Sequence, residues 1–435
     1  VTSSRKHQWT SARKLAPALL TTGALVLTTA ACGGGDSGGG GDDGPVTLRL
    51  SWWGNDVRQG LTAEAVALFE ESHPDITVEQ EYADWDSYYD RLTTQLASGD
   101  APDVFATEIR RMGEFATRGA LADMSELVET GDMDPEILTT GQVEGTQYAI
   151  PTGANAFVIM ANTTLIEEAG LELPDDTTWT WDDYREFSAQ VTETVGDGTY
   201  GTQLSWNDAY LNIYAAQRGE SFYEDDQIGM SAETVADWFE YNNGLVESGA
   251  TPDASLSAEI GNTSVDQSLI STGQGAFGMW WSNQLNAVTT GSGSEIEILR
   301  WPQDSGAVSG GQFLQPTMYW NIAESSGRKD AAAELVDFLI NDPEAAAILG
   351  SDRGLPINGV VREQIEAELP ETDQQSLAFI DELSNELADP PSVNPVGAGE
   401  IPDMLQRYGE EVNFGRLSPQ EAAEAFIDEA NSSLG

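Results

Sequence analysis

Apolar and polar residues alternate from Val46 to Leu50, and the run ends in Ser51-Trp52-Trp53-Gly54, which predicts a strand opening into a loop. The period then changes. Leu61, Ala65, Leu68 and Phe69 recur at helical spacing up to Glu71, His73-Pro74 stops the helix, and Ile76-Thr77-Val78-Glu79 alternates again. Strand, helix and strand at these intervals make a βαβ unit, for which a parallel sheet is expected. A second helix is predicted over 85–97, a short buried strand over 101–105 and a helix over 112–119. Thr146 to Pro151 reads as a strand stopped by proline, and 156–162 is apolar enough for a central strand. Thr180 is placed to cap a helix opening at Trp181. Further helices are expected over 235–246, 330–339 and 419–432, with one more at Pro343 behind a cap at Asn341 or Asp342. No internal repeat is visible. The class is α/β, and the chain from Val46 onward is too long for one core and long enough for two lobes.

The residues before Val46 follow another rule. Arg5, Lys6, Arg13 and Lys14 precede an apolar run from Leu15 to Thr29, too short for a typical membrane span, and small residues follow. This is the layout of a secretory signal, expected to cover 1–31. Cys32 is the only cysteine, so it has no disulfide partner within the chain. Leu27-Thr28-Thr29-Ala30-Ala31-Cys32 resembles a bacterial lipobox, although Thr29 stands where an aliphatic residue is usual. The resemblance implies cleavage after Ala31 and diacylglycerol on the Cys32 sulfur. Residues 32–45, rich in Gly, Ser and Asp, then read as a flexible leash. The expected location is the outer face of the cell membrane, reached through the lipid.

Composition narrows the partners. The chain of 435 residues carries 73 acidic and 19 basic residues, for a net charge of −54. The four basic residues of the leader are lost with it, and Lys329 is the only lysine beyond it. Such a surface repels nucleic acid and anionic headgroups, so neither is an expected partner. It also keeps an extracellular protein dispersed, and a monomer is expected. Beyond the leader His73 is the only histidine, and no metal-ligand spacing occurs, so no metal and no cofactor is expected. Gly35-Asp36-Ser37-Gly38-Gly39 copies the nucleophile signature of trypsin-like proteases, but it lies in the leash, where no triad has a scaffold.

Several motifs, spread in order over the chain, resemble the extracellular solute-binding proteins of bacterial ABC sugar importers, the maltodextrin-binding type. Leu50-Ser51-Trp52-Trp53-Gly54 looks like the first strand and its ligand-facing end; Phe69, Pro74, Ile76 and Val78 match the next helix and strand. Ala97-Ser98-Gly99-Asp100-Ala101-Pro102-Asp103-Val104 is the most specific piece. Tyr148-Ala149-Ile150-Pro151, Asn162, the turn from Gly170 to Pro174 and Thr178-Trp179-Thr180-Trp181-Asp182 come next. Gly275-Ala276-Phe277-Gly278-Met279, Trp301-Pro302 and Asp352-Arg353-Gly354-Leu355-Pro356 complete the set. The resemblance implies a periplasmic-binding-protein-like fold. Two α/β lobes, 46–153 with 321–360 and 154–320 with 361–435, are joined by crossover strands, with the ligand in the cleft between them. It also implies a non-catalytic receptor that delivers a mono- or oligosaccharide to an ABC permease.

A sugar offers a face of C–H bonds and a rim of hydroxyls, so its site calls for flat aromatic surfaces and fixed polar groups. Strand alternation sends Trp52 and Trp53 to opposite faces, and Trp53 is the expected cleft residue, with Gly54 and Asn55 beside it. Trp85, Glu108 and Asn155 are candidates from the same lobe and the first crossing. Trp206, Asn207, one of Trp280 and Trp281, and Asn283 are expected from the second lobe, with Gln315 and Tyr319 before the second crossing. Arg353 has a planar fork suited to vicinal hydroxyls. Two other functions stay open: the same architecture holding a compatible solute or peptide, since clustered tryptophans also cage cations, and a secreted glycosidase with two carboxylates.

Overall fold

Alternation at the start of the ordered chain puts Leu48, Leu50 and Trp52 on one face of strand β1 (Val46–Trp53), all fully buried. The computed structural model describes residues 44–434 except 197, 262 and 392; the expected leader, Cys32 and nearly all of the leash lie outside the described residues. Helix α1 (Asp56–Ser72) starts earlier than its apolar spacing predicts, because the Asn55 side chain accepts a hydrogen bond from the Arg58 N–H and caps it. Strand β2 (Ile76–Ala83), helix α2 (Trp85–Ser98), strand β3 (Val104–Thr107) and helix α3 (Ile109–Thr117) follow. β1 lies between β2 and β3 and is parallel to both, as the βαβ pattern predicts.

The sheet is nevertheless mixed, where an all-parallel one was expected. Its order runs β2, β1, β3, Tyr319–Ile322, Ile150–Pro151, and Tyr319–Ile322 is antiparallel to both its neighbours. A strand reached through a helical crossover returns parallel. Tyr319–Ile322 instead enters directly from the second sheet, beside the end of β3, and must run back the other way. The strand expected over 146–151 is also divided. Thr146–Gln147 pairs with Gln142–Val143, and only Ile150–Pro151 joins the main sheet, because the Tyr148 and Ala149 N–H groups both bond the Gly141 carbonyl.

The second sheet is antiparallel throughout: Ala154–Asn162 lies between Phe277–Trp281 and Ile296–Leu299, and Leu314–Pro316 pairs with its first residues. No residue of Ala154–Asn162 is exposed. Phe157, Ile159 and Ala161 enter one core, while Ala156, Val158 and Met160 enter another. A strand covered on both faces needs an unbroken apolar run, which is what the sequence shows. The capping expectations are met at Thr180, whose side chain and that of Asp183 bond each other's N–H. Of the two candidates before Pro343 it is Asp342 that caps; Asn341 ends the preceding helix.

The two sheets are joined where three segments converge. Thr152 N–H bonds the Met318 carbonyl (3.0 Å), Thr317 N–H bonds the Gly153 carbonyl (3.1 Å), and Ala154 and Leu355 exchange backbone bonds of 2.9 and 3.1 Å. A Cβ on Gly153 would lie 2.5 Å from the Arg353 carbonyl oxygen and 2.6 Å from the Gly354 backbone. Only glycine lets the strands meet this closely. Gly153→Ala is therefore expected to cost about 2 kcal/mol or more in denaturant unfolding, whereas Gly306→Ala, where a Cβ meets nothing within 4 Å, leaves the midpoint unmoved.

Candidate functional site

The ends of β1 and β3, the first turns of α2 and α3, and the two strands of the junction surround one cavity of about 450 Å³. Its other wall comes from the second sheet and the start of helix Asp208–Ala216. Trp52 and Trp53 divide as alternation requires. Trp52 is sealed in the core against Tyr82, and Trp53 is half-buried and lines the cavity. The Trp53 indole is held by Trp85 (5.1 Å, edge-on), Tyr88 (5.6 Å) and Tyr89 (5.7 Å). Trp85, at the first turn of α2, is 42% exposed and lines the cavity with it. Such ring contacts, edge-on to Trp85 and tilted to the two tyrosines, fix the indole's orientation and are worth about 0.5–1.5 kcal/mol each beyond burial.

Trp280 and Trp281 are also sorted by the strand. The strand spans Phe277–Trp281, so both are on it and face opposite ways. Trp281 pairs with Phe157, leans on its ring at 5.1 Å and lines the cavity. Trp280, opposite Val158, packs on the other core. Asn283 lines the cavity from the following turn, and Asn207 does so from the cap of Asp208–Ala216. Asn155 and Gln315 are register partners on the junction strands and complete the floor. The Asn155 amide donates to the Thr317 hydroxyl, but its Oδ1 is buried with no hydrogen-bond partner.

Glu108 joins β3 to α3 and is 7% exposed. Burial raises its pKa, and the Arg110 guanidinium 3.3 Å away works against that rise. Arg110 also reaches Asp208 at 3.0 Å, and that carboxylate is the main cause of its raised pKa. Arg110 was not among the sequence candidates. The signal was present: in a chain with so few cations, an arginine two residues from a candidate carboxylate is unusual. Tyr223, its hydroxyl buried without a partner, and Arg111 face the same group of charges.

Six candidates lie elsewhere. Asn55 is committed to capping α1, and Gly54 N–H bonds the Ala83 carbonyl while its Cα lies against Arg58. Trp206 is core, its ring edge-on to Trp238 at 5.6 Å and packed against Gly409. Trp206 and Trp280 do line a second, adjoining hollow. Tyr319 is fully buried, because the inner strand that carries it turns that residue toward Phe105 and Met112, and its hydroxyl donates to Thr140 (3.0 Å). Arg353 is buried at the junction, bonded to Thr62 at 2.8 Å. Burial and the neighbouring Arg58 push its pKa down to about 9. Among the described residues no cluster of three or more His, Cys, Asp or Glu could hold a metal ion, and no helix is long and apolar enough to cross a membrane.

The sequence matches the family model described as bacterial extracellular solute-binding protein over residues 54–346. It is 30% identical over 203 residues to an uncharacterized lipoprotein of Streptomyces antibioticus, covering 44% of each chain. It is 30% identical over 179 residues to an arabinooligosaccharide-binding protein of Halalkalibacterium halodurans, covering 38% of each. The chain thus matches less than half the length of these curated relatives. The periplasmic oligogalacturonide binding protein of Yersinia enterocolitica, solved with digalacturonic acid, superimposes with a TM-score of 0.79 at 25% identity, over 89% of this chain and 98% of that one.

Removing the cation tests the electrostatics. Arg110→Gln leaves Glu108 and Asp208 without their shared counter-charge, and the buried Glu108 carboxyl then gains further by protonating in the folded state. The expected loss is about 2 kcal/mol at pH 8. It shrinks as pH falls through the carboxylate range, and is measured by urea unfolding at a series of pH values.

Proposed function

The chain belongs to the bacterial extracellular solute-binding proteins, and we propose that it captures a carbohydrate between two lobes and passes it unaltered to the membrane subunits of an ABC importer. In this reading the lobes are 46–153 with 321–360 and 154–320 with 361–435. The two sheets, linked at 152–154, 317–318 and around Leu355, support that division. The reading rests on one observation: Trp53 and Trp281, at the ends of strands from the two sheets, and Trp85, at the start of α2, line a single cavity together with polar groups. The rings suit the C–H faces of a pyranose or furanose. Asn207, Gln315 and Asn283 offer amides to its hydroxyls, and Glu108 can accept from two of them.

The unpartnered Asn155 Oδ1 gives the cavity a specific need. A buried acceptor without a donor costs about 1–3 kcal/mol, and a sugar hydroxyl would supply that donor. Binding then acts as a switch. A ligand that touches both walls favours the closed arrangement by the difference in its affinity for closed and open forms. The Arg110–Asp208 pair, one partner from each side, adds a protein contact available only when the walls are close. Similarity to an oligosaccharide-binding relative supports the carbohydrate, and the naming of another relative as a lipoprotein supports an anchor at Cys32.

Calorimetry against a panel of neutral sugars is expected to show saturable one-to-one binding with no product formed. Trp53→Ala should weaken it tenfold or more. Digalacturonate should bind at least tenfold less well than an uncharged disaccharide of similar size, because the one cation lining the cavity is already held by two carboxylates. Heat only with a quaternary amine or a peptide would overturn the carbohydrate. Separately, Cys32→Ser is expected to move the protein from the membrane fraction to the culture medium.

A further inference from the structure

A second hollow, of about 320 Å³, runs along the free edge of strand Phe277–Trp281. It shares three wall residues with the main cavity: Asn207, Trp281 and Gln284. The two spaces therefore meet at a common partition, and their volumes together fall within the roughly 300–1,000 Å³ usual for small-molecule sites.

The partition is built to present donors. Asn207 Oδ1 accepts from the Ala209 N–H at 2.9 Å, and Gln284 Oε1 accepts from the Trp281 N–H at 3.1 Å. Each amide is thus clamped through its oxygen, and among the described residues its NH2 group has no protein partner. The far wall adds the Trp280 indole, folded over Gly278, and Gln406, whose Nε2 is bonded to Glu410 at 2.8 Å so that its oxygen remains available. Among the described residues no lysine or arginine lines the hollow, and Asp403 is the one charged residue there. Indole surface, oriented amides and an absence of cations fit an uncharged polyhydroxylated ring. They do not fit a phosphate or a carboxylate.

We propose that this hollow is a second sugar compartment, so that the solute is a neutral oligosaccharide lying across Trp281 with one ring on each side. This rests on the carbohydrate reading above and narrows it: a single sugar held in the main cavity would leave the second empty. A linked pair gains the second set of contacts without a second loss of translational freedom, so affinity should rise steeply from one ring to two.

The test is a calorimetric length series on the purified protein: glucose, galactose, xylose and arabinose, each with its di- and trisaccharides. At least one disaccharide is expected to bind tenfold or more tightly than its monomer. Gln406→Trp, which fills the hollow from the wall away from the main cavity, should bring that ratio close to one. Thr263→Tyr does the same from another wall, and a melting curve of each variant confirms that it is folded. Equal affinity for monomer and oligomers, or an unchanged ratio in both folded variants, would overturn the second compartment while leaving sugar binding intact. Heat from no sugar at all would instead remove the carbohydrate reading and this inference with it.

Discussion

The backbone bonds around Gly153 and Ala154 carry the architecture. Two residues after leaving the first sheet the chain is already a strand of the second, and Leu355 returns to bond that same residue from the other side. Because Gly153 has no Cβ, the three connecting segments lie against one another rather than side by side with a gap. That contact sets the distance between the two sheets and so the width of the space between them. Asn155, the next residue but one, reaches that space directly, as do Gln315 and Thr317 on the neighbouring connection. Floor and junction are therefore the same few residues, which is where the proposed closure of one wall over the other would be absorbed.

Charge acts on a different scale. The excess of acidic residues sets a uniformly repulsive surface, but it says little about the cavity, where one guanidinium holds two carboxylates from opposite walls. Half-buried ion pairs of this kind contribute little net stability, yet breaking one strands its partner in a poor solvent. Arg110 thus serves position more than energy. It orients Glu108 toward the cavity and links α3 to the helix that begins at Asp208. Among the described residues the neighbouring hollow has no such cation, in keeping with the uncharged ligand proposed for it.

Much of this was legible along the chain because it depends on local periodicity. The separate fates of Trp52 and Trp53 follow from strand alternation, which a few residues are enough to express. The double burial of Ala154–Asn162 was equally visible in the apolar run over 156–161. Thr180 and Asp183 form their cap within a single turn. Where the reading of the site went astray, a residue had the right chemistry but a prior engagement. Asn55 was needed as a helix cap, Tyr319 faced inward from an inner strand, and Arg353 was taken up by the junction with Thr62. The first is local, between Asn55 and Arg58, whereas the other two are set by residues far along the chain.

What the sequence determined by itself was therefore the alternation of strand and helix, the sorting of most side chains to one face or another, and the residue types available for binding. Tertiary structure alone decided that Tyr319–Ile322 runs antiparallel, that Trp281 rather than Trp280 meets the main cavity, and that Arg110 finds Asp208. The reason is physical. Periodicity is a property of neighbours, whereas direction of entry, strand register and ion pairing across a gap depend on residues 98 or more positions apart, brought together only by folding.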